Sequence, residues 1–472
     1  MRRLGAVMVA LILPIVLAGC VAVSVRTEQR APAPKAPVAP VAPVAPLVPV
    51  MPAAPKDRSS LADIQVVRSP GGITAWLVQE DFVPIISMEF SWRGGASIEP
   101  AERRGIGWIL AYMMNEGAGG LDTAAYGERM ADLNMNFSCG AWTDWSSCGM
   151  TTLKETSDQS FDMLRLAFSD LRLDREPFER AKREMIAGLE ADETNPKTVA
   201  SRTMTSQLIP DHVYARVPTT KTVSSITRGE LRQLMAQQMT KDKLLVAVVG
   251  DISAEELAPK LDQVFGKLPV SASMPDIPDA VAKPAAAQPI VKQLPQPQTL
   301  IMFSGPGIRR EDPDFYAAYV LNYILGGGTF SSRLTDDVRE KRGLTYGIGT
   351  GLDIRPHFWR WQGSSSTMND KADEVVKLIR ENIGRLGKDG PTADELADAK
   401  AYITGAFPLA FDSNRKIAQN LLGFQQDGMP ADYVEKRNSY FEAVTLADVK
   451  RVAATYMKPE AFTFVMVGQP SR

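Results

Sequence analysis

The chain has 472 residues, 44% of them hydrophobic, which is enough for two or three domains with sizeable cores. Its 53 basic and 55 acidic side chains give a formal charge of −2, so it offers neither a basic footprint for nucleic acid nor a field that steers acidic substrates. Only two histidines occur, His212 and His357, 145 positions apart, which excludes a zinc site built from two histidines on one helix.

Residues 1–19 read as an export signal. Arg2 and Arg3 form a charged start, and Leu4 to Leu17 is apolar but too short for a stable membrane span. The run ends in Leu17-Ala18-Gly19-Cys20, which has the form of a bacterial lipobox. Cleavage before Cys20 would leave a lipidated N-terminus; the alternative is an ordinary cleaved signal with an incidental cysteine. Val21, where an Asp would signal inner-membrane retention, directs the anchored chain to the outer membrane, facing the periplasm. Residues 20–60 are then a tether. Ala31 to Pro55 repeats Ala-Pro and Val-Ala-Pro units, a composition that favours polyproline II and would reach roughly 80 Å fully extended. A spacer is the commoner use of such a segment, and a proline-rich ligand the rarer one.

A first body spans residues 61–270. Ile73–Val78 and Ile85–Trp92 read as strands, and Gly105–Met114 as an amphipathic helix carrying Trp108, Ala111 and Tyr112. Helices are expected at Thr123–Leu133, Thr156–Leu171 and Pro177–Glu193, a strand at Leu244–Val249 and a helix at Ala254–Phe265. Between them, Phe137 to Gly149 reads as two strands around a turn near Thr143-Asp144, which places Cys139 opposite Cys148. The pair is either a cross-strand disulfide or two small buried thiols. Residues 271–298 are again rich in Pro and Ala and read as a linker.

A second body, 299–472, repeats the first in part. Thr227, Leu231, Leu234, Met239, Val249 and Gly250 each recur 218 residues later with an identical or apolar counterpart. Apolar positions three apart, then an apolar strand and a glycine, make one duplicated helix–strand unit. The alternation of strands and helices in both bodies points to an α+β fold, helices packed on a mostly antiparallel sheet.

The second body carries Leu325-Gly326-Gly327-Gly328, then Ser331-Ser332-Arg333-Leu334, then Arg339-Glu340-Lys341-Arg342-Gly343-Leu344-Thr345-Tyr346. This reads as a glycine-rich turn, a polar helix ending at Gly343 and a strand start. The Lys-Ser/Thr ending of a phosphate-binding loop is absent. Taken alone, Arg339 is a solvated helix charge.

These runs resemble the pitrilysin-type M16 zinc peptidases over roughly residues 65–472. Such enzymes carry His-x-x-Glu-His on a helix matching Gly105–Met114. The resemblance aligns Trp108 with the first His, Ala111 with the catalytic Glu and Tyr112 with the second His; spacing from Tyr112 and from Asn195-Pro196 aligns Gly188 with the third, Glu, ligand. No metal ligand or general base remains, and Glu190, two positions on, points around the helix. Trp108 and Tyr112 then fill the volume as core or cleft-lining aromatics, and His212 and His357 read as surface or loop residues. The second run matches the family's Arg/Tyr signature at Arg339 and Tyr346, two fixed donors suited to a substrate carbonyl and its oxyanion; Arg333 and Arg342 match structural positions.

The resemblance therefore implies two homologous domains forming a clamp. It implies the Arg/Tyr-type, zinc-motif-lacking subunit of a two-subunit bacterial M16B peptidase. This chain would bind no cofactor, and zinc would sit in a partner with an intact His-x-x-Glu-His. Expected partners are that subunit, a peptide substrate and a membrane reached through the lipid anchor, with no nucleic acid. The alternative is an inactive peptide-binding or scaffold lipoprotein. A peptidase active by itself would require a novel site.

Overall fold

The computed structural model describes residues 63–328 and 331–471. The leader, Cys20 and the whole tether lie outside the described residues. The rest is α+β, built as two domains.

Six strands form the first sheet: β1 (Gln65–Arg68), β2 (Thr74–Gln79), β3 (Ile85–Arg93), β4 (Asn136–Ala141), β5 (Trp145–Leu153) and β6 (Leu244–Gly250). The second sheet contains β7 (Ile290–Gln293), β8 (Gln298–Pro306), β9 (Ile348–Arg355), β10 (Phe358–Met368) and β11 (Thr463–Gly468). The spatial order is β1-β2-β6-β3-β5-β4 in one and β7-β11-β8-β10-β9 in the other. Apart from β1 the two orders correspond strand for strand. Each contains one parallel pair, β2 with β6 and β7 with β11; every other neighbour is antiparallel.

The 218-residue offset is kept by helices too. Pro196–Leu208 recurs as Asn414–Gln426, and Arg228–Gln238 as Leu446–Tyr456. Both members of the second pair begin with a capping box, Thr227 with Glu230 and Thr445 with Asp448, so each satisfies otherwise orphaned N–H groups in the same way.

The duplicated helices cross over. Asn414–Gln426 lies on the first sheet, where Ile417, Ala418, Leu421 and Leu422 pack with Trp76, Val78, Ala247 and Val249. Pro196–Leu208 lies on the second, where Ala200, Met204 and Leu208 pack with Leu300, Phe358, Val465 and Val467. Each domain thus covers one face of the other's sheet. β3 shows the consequence. Its Ile86, Met88, Phe90 and Trp92 face the main core, as the alternation implies. Its other face, Ser87, Glu89 and Ser91, is buried as well. Arg415 Nε and Gln419 Nε2 both reach Glu89 Oε1 at 3.3 Å, and Gln426 Nε2 donates to Ser91 Oγ at 3.1 Å. Burial holds the Glu89 carboxyl above its usual pKa, opposed by Arg415.

Two sequence expectations change. Segment 271–298 is not a bare linker throughout: Ile290 and Val291 interrupt its prolines and form β7. Cys139 and Cys148 occupy directly paired positions on β4 and β5, with Cα atoms 4.0 Å apart, and their sulfurs are bonded. Replacing both by Ser is expected to lower the unfolding free energy by about 2–3 kcal/mol in denaturant titration. An unmoved midpoint would mean that the strand pair needs no clip.

Candidate functional site

The motif helix spans Ile106–Met113. Its start is fixed by Glu99, whose carboxylate accepts the N–H groups of Gly105 and Gly107, each at 2.8 Å. Burial raises the Glu99 pKa, against those two donors and Arg104. A Cβ at Gly107 would lie 2.9 Å from Glu99 Oε1, so this approach needs a glycine. Ile106, Ile109, Leu110 and Met113 enter the core. Trp108 and Tyr112, one turn apart, share the outer face with ring centroids 5.5 Å apart. Trp108 is 38% exposed, so it lies at the surface and not in the core. Ala111 is buried beside them.

The facing helix is Arg175–Asp192. Arg180, Glu184 and Gly188 fall at successive i, i+4 positions and form one stripe. Tyr112 Oη donates to Glu184 Oε1 at 3.1 Å and accepts from Arg180 Nε at 3.1 Å. The Arg180 guanidinium also pairs with Glu116 at 2.5 Å and Glu176 at 2.8 Å. Glu116 against Arg180 and Tyr112 against Glu184 define an antiparallel register. Gly188, one turn beyond Glu184, has open space where a Cβ would stand.

These residues do not fit zinc. Trp108, Ala111 and Gly188 supply no ligand atom. Burial pushes the Tyr112 phenol above its ordinary pKa, reinforced by Glu184 and opposed by the Arg180 hydrogen bond, which keeps it neutral. The Tyr112 hydrogen bond and then the Glu116 pair raise the Arg180 pKa, so a fixed cation adjoins Tyr112. Among the described residues, no three His, Cys, Asp or Glu side chains are grouped to hold a metal. EDTA or added zinc is accordingly expected to leave the melting temperature of the isolated chain unchanged. A specific site at about a hundred times its Kd would instead add roughly 2.7 kcal/mol.

In the second domain, Arg339 sits on the wide-turn helix Thr335–Glu340 and its guanidinium pairs with Glu340 at 2.9 Å. The N–H of Gly343, at φ 62°, returns to the Arg339 carbonyl. Thr345 Oγ1 donates to the carbonyls of Gly347 and Ser366, both at 2.8 Å, which pins the segment against β10. Tyr346 is left 91% exposed. Arg342 is tied to Asp337, and Arg333 to Glu395 and the Gly390 carbonyl, so both are structural as expected from their positions.

The motif helix packs on β4, the outer strand of the first sheet, and Thr335–Glu340 packs on β9, the outer strand of the second. Each candidate set therefore lies beside the corresponding sheet edge of its own domain.

The two histidines flank Tyr214, with ring centroids 4.5 Å and 6.5 Å from it, which sequence separation conceals. His212 Nδ1 accepts from the Tyr214 N–H at 3.3 Å and Nε2 donates to the Pro278 carbonyl at 3.0 Å. Tyr214 Oη donates to the buried Asp144 at 2.6 Å, and His357 Nδ1 lies 3.4 Å from Asp279. Both histidines are half-buried loop residues, His212 in a bend and His357 in the turn between β9 and β10. Sequence reading also missed Arg180, Glu184 and Glu116. Their i+4 spacing with Gly188 and Tyr112 was visible, but the pairing of the two helices was not.

The two-domain α+β fold thus carries a phenol–guanidinium–carboxylate network, and no ligand set for zinc, between the motif helix and the helix facing it. The comparisons agree. A family model described as "Peptidase M16 inactive domain" matches residues 225–403. The chain is 21% identical to a "Non-peptidase homolog YmxG" of Helicobacter pylori, covering 84% of this chain and 91% of that one. It is 23% identical to an "Uncharacterized zinc protease YmxG" of Bacillus subtilis, covering 70% and 80%. A crystal structure of a peptidase M16 inactive domain from Pseudomonas fluorescens superposes with a TM-score of 0.81 at 26% identity, covering 87% of this chain and 98% of that one. The likeness is thus to an M16 inactive domain over residues 225–403 and to these relatives over most of the chain.

Proposed function

We propose that this chain is the non-catalytic subunit of a periplasmic two-chain M16 peptidase, lipid-anchored through Cys20 in the outer membrane. One observation carries the reading. The chain's own metal positions are closed, while Tyr346 stands 91% exposed and Arg339 lies on a helix packed against the outer strand β9. An unpaired strand edge can take a peptide as an added strand, with main-chain hydrogen bonds for affinity. Arg339 and Tyr346 would then donate to a substrate carbonyl held between the two chains. The partner, with an intact His-x-x-Glu-His, supplies zinc and the attacking water. This chain binds no cofactor of its own. Its residues bind and orient the peptide and exclude water from the closed chamber.

The test is assembly with the product of a neighbouring gene that encodes a similar chain with the intact motif. Co-elution as a stable heteromeric complex is expected. A genome with no such gene, or chains that elute separately, supports the scaffold alternative, in which the clamp holds a peptide without hydrolysis.

A further inference from the structure

We propose that a small oxyanion, a carboxylate or phosphate group, binds in the cavity of about 260 Å³ where the end of helix Pro196–Leu208 meets the second sheet, held by Arg360 and Lys283. The proposal is independent of the peptide edge and of Arg339.

Arg360 lies on β10 directly opposite Asp353 on β9 and is only 5% exposed. Its Nε donates to Asp353 Oδ2 at 2.9 Å, while Arg355 Nε takes Oδ1 of the same carboxylate at 3.1 Å. One carboxylate thus serves two guanidinium groups. Arg360 Nη1 is buried and has no acceptor. A buried guanidinium that shares its only carboxylate with a second cation is under-compensated, and an anion in the adjoining cavity adds the missing negative charge. Burial lowers the Arg360 pKa against the pull of Asp353, a sign of the same incomplete compensation.

The cavity lining supports the choice of ligand. Its charged residues, Lys283 and Arg360, are both cations, and no carboxylate lines it. Lys283 is anchored by its backbone N–H on the Leu208 carbonyl at 2.7 Å. Its exposed ammonium is 3.8 Å from the almost fully exposed Asp211, a loose pair that an incoming anion can displace. A cavity of this size holds one anionic group and a short stem and excludes an extended peptide. Geometry therefore selects a small anion or a single chain end.

The experiment is isothermal titration of the full chain with inorganic phosphate and, separately, N-acetylglycine, at ionic strength held constant with sodium chloride. Saturable single-site binding of at least one is expected. Lys283→Ala should weaken it about tenfold, the effect of one charge-assisted hydrogen bond. Arg360→Met should abolish it while the chain stays folded, because Asp353 keeps Arg355. Binding of phosphate alone assigns a phosphate ligand, and binding of N-acetylglycine alone a carboxylate end. No saturable binding of either anion, or undiminished binding in both variants, overturns the proposal. If Arg360→Met does not fold, undiminished binding by Lys283→Ala is sufficient to overturn it.

Discussion

Arg339→Ala is expected to lower the turnover of the reconstituted two-chain peptidase by about 10²-fold, the usual loss when one preorganised oxyanion donor is removed. The effect should fall on kcat and kcat/KM alike, because the interaction strengthens as charge develops. Assembly should be unaffected: the Arg339 guanidinium is paired with its neighbour Glu340 and packs in no hydrophobic core. Arg339→Lys should rescue poorly, since a point charge does not reproduce the planar fork. Tyr346→Phe, which removes only a hydroxyl from a side chain 91% exposed, should act in the same direction without loss of stability. Arg342→Ala is the contrast. It breaks the tie to Asp337 and should lower stability more than turnover. Wild-type turnover in Arg339→Ala would remove the reason for assigning this chain a part in catalysis.

Leu421→Ala is expected to cost about 2–5 kcal/mol of unfolding free energy, the range for truncating a fully buried leucine. Leu421 is 0% exposed on helix Asn414–Gln426 and packs against Trp76, Val78, Ala247 and Val249 of the other domain's sheet. A cavity there loosens the reciprocal cover that joins the domains. The loss should appear as a lower denaturant midpoint for the whole transition, read equally by probes in either domain. Leu409→Ala, at a position 75% exposed just before that helix, should stay within about 0.5 kcal/mol. If Leu421→Ala is as mild as Leu409→Ala, the crossed helices do not hold the domains together.

Much of this architecture is legible in the sequence because its signals are local. The expected helix at Ala254–Phe265 is the observed one, and the Thr123 helix ends one residue early, at Asp132. The hairpin around Thr143 has the anticipated cross-strand register, since its turn is short and symmetric. The 218-residue repeat was visible in six positions and extends to whole helices. What stayed hidden depends on contacts distant in sequence. Ser87, Glu89 and Ser91 alternate with apolar residues along β3, and the helix that covers them lies more than 300 residues away. Arg180 carries no signal in the sequence because its partner Tyr112 lies on another helix, 68 residues away. His212 and His357 both come near Tyr214 because a cap on one domain meets a hairpin turn of the other.

The most direct test is a peptide-cleavage assay with three samples: this chain alone, the partner with the intact motif alone, and the two together. The account predicts EDTA-sensitive cleavage by the pair, little by the partner alone and none by this chain alone. EDTA-sensitive cleavage by this chain alone, or a partner equally active without it, would contradict the divided-site account.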